Sequence, residues 1–123
     1  DALRAFAQKR EDTLFVLGVD LAHVGRRYHD KTRARANQGP LLEVAARDRA
    51  RLRCIETGDA EGLWRLTRRP AEDDLNWCGT APFYAFLRCA SPVVGETLHY
   101  EQWNIDPESV VTVAGMAFTK GDL

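Results

Sequence analysis

The chain is poor in the residues that staple or anchor a protein. Its three cysteines, Cys54, Cys78 and Cys89, are odd in number and irregular in spacing. That fits reduced thiols in a cytoplasmic protein better than a disulfide framework. No apolar run approaches the roughly 20 residues of a membrane helix, and mean hydropathy is −0.37, so neither a span nor a membrane partner is expected. The opening residues, Asp1 to Arg10, lack the pattern of a signal peptide. Local catalytic signatures are missing too. There is no Gly-rich phosphate loop, no paired Cys-x-x-Cys, no His-Glu-x-x-His and no Gly-x-Ser-x-Gly, which removes the chemistries those motifs carry.

Net charge is also scarce, at −1, but it hides an asymmetry. From Arg26 to Arg69 there are 12 Lys/Arg against 6 Asp/Glu, and from Ala71 to Leu123 only 2 against 8. The arginines fall on a predicted helix and mix with acids, so they read as a solvated face and not as a nucleic-acid footprint.

What the chain does have is 123 residues, 45% of them hydrophobic, enough for one domain or part of one. Its organising stretch is Thr13 to Gly25. An apolar run from Leu14 to Val19 stops at Asp20, and His23 follows three residues later. Such a run predicts a strand buried on both faces. Ligands of open α/β sheets bind beyond the carboxyl ends of such strands, so Asp20 and His23 become candidates for chemistry, with Gly25 allowing a tight chain path. Ala2 to Lys9 reads as the end of a helix, joined to the strand by Arg10-Glu11-Asp12, and the chain is expected to begin inside an α/β domain.

Beyond His23 a polar loop is expected to Gln38, with His29 inside it. Gly39-Pro40 then opens a helix with Leu41, Val44, Ala45, Leu52 and Ile55 on one face and a Glu43–Arg47 pair on another. Asp48 falls near the apolar stripe and reads as a carboxylate at the core's edge, paired with a loop arginine. Gly58 ends this helix and Asp59 caps the next, anchored by Leu63, Trp64 and Leu66 until Pro70. Glu72-Asp73-Asp74 reads as an acidic linker.

Thr80 looks like an N-cap with Pro82 in the first turn, and Phe83, Phe86 and Leu87 form the packing face. Cys78 sits just ahead of that helix, where the dipole and free N–H groups favour a thiolate. Two strands, Thr97 to Trp103 and Ser109 to Thr119, follow as an antiparallel hairpin around a loop at Asn104 to Glu108. Each candidate also has a plain structural reading: Asp20 and His23 as a hydrogen-bonded loop pair, Cys78 as a buried apolar thiol. Cys54 and Cys89 lie in helical patterns as core residues, and His99 reads as a surface residue beside Glu101.

Taken together, Val19-Asp20-Leu21-Ala22-His23-Val24-Gly25, Cys78-Gly79-Thr80-Ala81-Pro82 and the closing Tyr100-Glu101-Gln102-Trp103 with Ser109 to Phe118 resemble the Memo family. The segment Asp59-Ala60-Glu61-Gly62 also fits. The resemblance spans nearly the whole chain in order and aligns it, as a single segment over residues 1–123, with the C-terminal half of the family domain.

It implies a three-layer α/β sandwich of the class III extradiol dioxygenase type, ending in a β-hairpin. It also implies a cleft with a metal ion, iron or copper with zinc as a further candidate, held by histidines and a cysteine. By the resemblance Cys78 matches the cysteine ligand, Asp20 and His23 match the acid and histidine lining the cleft, and the histidine ligands lie outside this chain. A soft thiolate pulls towards copper(I) or zinc and changes the electronics of any iron. His23 would serve as acid/base and Asp20 as its orienter. Two functions follow as expectations: a metal-dependent redox or dioxygenase-like enzyme on a small molecule, or a binding or signalling adaptor that holds a small molecule or peptide in the same cleft. An unpaired sheet edge would also favour a homo-oligomer.

Overall fold

The computed structural model describes residues 2–67 and 73–122. Helix α1 (Ala2–Gln8) leads into an extended stretch and strand β1 (His23–Gly25). Helices α2 (Pro40–Glu56), α3 (Ala60–Thr67) and α4 (Thr80–Ala90) follow, then strands β2 (Val93–Asp106) and β3 (Ser109–Lys120). The sheet runs β1-β3-β2 and is antiparallel throughout, with His23 opposite Val111 and Tyr100 opposite Ala114. The fold is an α/β sandwich whose helices cover one face of the sheet.

The terminal hairpin is as expected and longer at both ends. Its turn is the two residues Pro107-Glu108, because Asn104 to Asp106 continue β2. Alternation decides which face is buried. Gln102 and Val93 point inward with Val110 and Thr112 of β3, whereas Trp103, 67% exposed, points out with Val94 and Leu98.

The core joins Leu41, Val44, Leu52 and Ile55 of α2 to Leu63 of α3, Phe83, Phe86 and Leu87 of α4, and Val93 and Val110 of the hairpin. Burying each such side chain contributes about 1.5–3 kcal/mol. Phe86 bridges two parts of it, meeting Phe118 edge-on at 4.9 Å and Phe15 at 5.7 Å.

Several expectations are corrected. Leu14 to Val19 is extended but pairs with no strand among the described residues, and it is not buried on both faces. Leu14 and Val16 are 84% and 83% exposed, while Phe15, Leu17 and Val19 are partly buried against the core. An apolar run specifies burial only where something covers it, and here one side is open. On α3 only Leu63 of the three expected anchors is buried, since Trp64 and Leu66 lie on the outer side of that short helix. Pro70, its expected stop, and Glu72 lie outside the described residues.

Arg47 forks onto Asp74 at 2.6 and 3.0 Å and does not close onto Glu43. Among the described residues Asp48 meets no arginine: it is fully buried and accepts hydrogen bonds from the Trp77 indole and the Tyr100 hydroxyl, both at 2.7 Å. Nor are all the α2 arginines solvated, since Arg51 is 2% exposed. At α4 the N-cap is Gly79. Thr80 is the first helical residue, and its hydroxyl donates back to the Trp77 carbonyl at 3.3 Å.

Candidate metal-binding site

Three of the predicted residues come together. Asp20, His23 and Cys78 offer ligand atoms that all lie within 4.8 Å of one another. Asp20 and His23 arrive from the extended stretch where it joins the sheet. There the Leu21 N–H donates to the Thr112 carbonyl, and the Thr112 N–H to the Ala22 carbonyl. Thr112 adds its hydroxyl, which accepts from the Ala22 N–H at 2.8 Å.

Cys78 arrives from the turn before α4. That turn packs so closely that a Cβ on Gly79 would sit 3.0 Å from the Asp20 carbonyl and from Val19. A side chain there would force one of the two segments to give way by a few tenths of an ångström. Cys78 is exposed, and its thiol donates to the Asp20 carbonyl at 3.3 Å. It is therefore not the buried apolar thiol that composition alone would allow. Cys89 is buried and Cys54 half-buried, and burial pushes the Cys54 thiol up.

The His23 ring has a defined orientation. Its Nδ1 lies 3.1 Å from the Leu21 carbonyl and 3.0 Å from the Asn76 carbonyl. Carbonyl oxygens only accept, so Nδ1 carries the hydrogen and Nε2 carries the lone pair in the neutral ring. Nε2 points to the cluster, 3.7 Å from Asp20. The tautomer is thus held by two backbone carbonyls, with Asp20 facing the opposite nitrogen. Tyr28 stands edge-on to the imidazole at 5.1 Å, and its phenol is pushed up by burial. His29 is exposed in the loop, and His99 is exposed on β2, 3.2 Å from Glu101.

The donor set fits a metal ion. A thiol, a carboxylate and an imidazole nitrogen with its lone pair free converge, and the other imidazole nitrogen is engaged by backbone carbonyls as it is in metal-bound histidines. A separate depression lined by Arg4, Asp59, Glu61 and Arg88 includes none of these residues, and its Glu61 and Arg88 pair at 3.3 Å.

The chain matches the family model described as Memo-like protein over residues 1–117. It belongs to the Memo-like family. No curated protein matches the chain. In this Memo-like chain, sequence reasoning found the three converging side chains and missed what surrounds them. Asn76 was not singled out, although its carbonyl holds His23. Asp73 was read as a linker acid, although its carboxylate builds the turn that carries Asn76 and Cys78. No local sequence signal separates Asp73 from its acidic neighbours, because what marks it is the turn its carboxylate closes on the Leu75 and Trp77 N–H groups.

Proposed function

We propose that the Asp20–His23–Cys78 cluster is one wall of a metal-binding cleft that performs redox or dioxygenase-like chemistry on a small molecule. The observation that carries this reading is the free Nε2 of His23, oriented beside a thiol and a carboxylate. Cys78 would be the protein ligand supplied from the α4 turn, with iron, copper or zinc as the ion. The remaining ligands would be histidines from outside this cluster. When bound, the metal would supply Lewis-acid or electron-transfer chemistry at the cleft.

The protein's own residues have distinct tasks. Where the ion sits on Cys78 and leaves His23 unligated, His23 would take a proton at Nε2 while keeping its Nδ1 hydrogen between the Leu21 and Asn76 carbonyls. Asp20, at 3.7 Å, supplies the counter-charge when the ring is protonated. Tyr28 packs on the ring and limits its rotation.

Metal content tests this reading. Protein purified anaerobically under reducing conditions should carry a transition metal, and Cys78→Ser should lose most of it. Absence of metal in both would overturn the proposal. A non-catalytic adaptor role in the same cleft is favoured by the exposure of Asp20 and Cys78. Peptide or metabolite binding that survives His23→Ala and metal removal would select it.

A further inference from the structure

The cluster is approached from behind by a polar network that the reading above does not use. Arg51, on the buried side of α2, directs its guanidinium onto Asp73, with Nη1 donating to Oδ2 at 2.9 Å and Nη2 to Oδ1 at 2.7 Å. The same carboxylate accepts the Trp77 N–H at 3.1 Å and the Leu75 N–H at 3.3 Å. One buried carboxylate therefore closes the chain from 73 to 77 into a turn, and the Arg51 guanidinium lies over the Trp77 ring at 5.2 Å. At the far end Trp77 is tied to α2 again, through its indole N–H to Asp48.

Two residues between those anchors, Leu75 and Asn76, hold His23. The Leu75 carbonyl accepts the His23 backbone N–H at 2.8 Å. The Asn76 carbonyl accepts the ring Nδ1–H at 3.0 Å, and the Asn76 amide donates to the His23 carbonyl at 3.1 Å. Asn76 itself has a positive φ of 52°, a conformation that needs support from its surroundings. Cys78 is the next residue after the second anchor.

We infer that Arg51 and Asp73 are positioning residues for the cluster: by building the 73–77 turn they hold one of the two carbonyls that fix the Nδ1–H tautomer of His23, and they set where Cys78 stands. Neither touches the cluster. They act through the Asn76 carbonyl and through the chain that carries the thiol. The claim about Cys78 and metal rests on the functional reading above; the claim about the His23 tautomer does not.

Nitrogen-15 NMR of the imidazole in metal-free protein gives the first test. His23 should be the Nδ1–H tautomer, and an Nε2–H ring would overturn the inference. The second test removes the pair together with Arg51→Met and Asp73→Asn, so that neither partner's charge is left facing an empty place. This double variant should fold, by circular dichroism, yet show a mixed tautomer at His23 and bind cobalt(II) about 10- to 100-fold more weakly, as losses around a ligand shell do.

A folded double variant with an unchanged His23 spectrum would overturn the inference. So would a double variant that fails to fold, because the pair would then be a stability element. If the parent protein takes up no cobalt while the tautomer still shifts in the double variant, the metal reading fails and the positioning role stands.

Discussion

Tyr100 and Asp48 show how a single buried carboxylate organises its neighbours. Asp48 accepts from Tyr100 through one oxygen and from Trp77 through the other. Burial, with Asp48 second, pushes the Tyr100 phenol well above its usual range, so it remains a donor. The Arg49 guanidinium stacks on the Tyr100 ring at 5.0 Å. Tyr100→Phe keeps the ring and leaves one Asp48 oxygen without its donor. An unsatisfied buried acceptor costs about 1–3 kcal/mol, so the variant should unfold at lower urea, and an unchanged midpoint would contradict this account. The position of Asp48 near the apolar stripe of α2 was legible in sequence. Its partners were not, because both come from segments more than 25 residues away.

At the scale of elements, the extended stretch from Thr13 to Asp20 pairs with no strand among the described residues. It makes no backbone-to-backbone hydrogen bonds among the described residues, and the Asp20 carbonyl accepts only the Cys78 thiol. It also carries Leu14 and Val16 outward. Such a strand is a template for pairing with another chain. The edge strand β2 also carries Val94, Leu98 and Trp103 on exposed positions, but it interleaves them with Glu96 and Glu101, charges that discourage edge-to-edge contact. The protein should therefore self-associate with rising concentration, and Leu14→Glu with Val16→Glu should suppress it, as read by light scattering. A parent that stays monomeric at high concentration would refute the expectation. The apolar run of this stretch was visible in the sequence, where it predicts burial on both faces. Its openness was not, since pairing is decided by which other strand arrives.

Across the whole molecule, α2 is tied to the turn before α4 by acids that ion pairs hold in their charged form. Burial pushes Asp73 up, but the Arg51 hydrogen bonds and the Trp77 N–H outweigh it, so its carboxyl sits below the ordinary range. The Arg47 fork holds Asp74 low as well, although that pair is exposed and contributes less. With folded values depressed, this stability is fully present above the unfolded value of about 3.9 and is lost as pH falls through the folded values. Urea midpoints should therefore fall as pH drops below about 4, and more shallowly in the Arg51→Met, Asp73→Asn variant. Equal slopes would contradict the assignment.

Local pattern and spacing determined the helices, the terminal hairpin, the order of the family segments and the candidacy of Asp20, His23 and Cys78. These depend on periodicity and turn chemistry, which a chain carries within a few residues. Only the tertiary structure decided that Arg51 and Asp73 pair in the interior, that two carbonyls orient His23, and that Leu14 and Val16 face outward. Each of those depends on which distant segment lies alongside, and that is settled by packing.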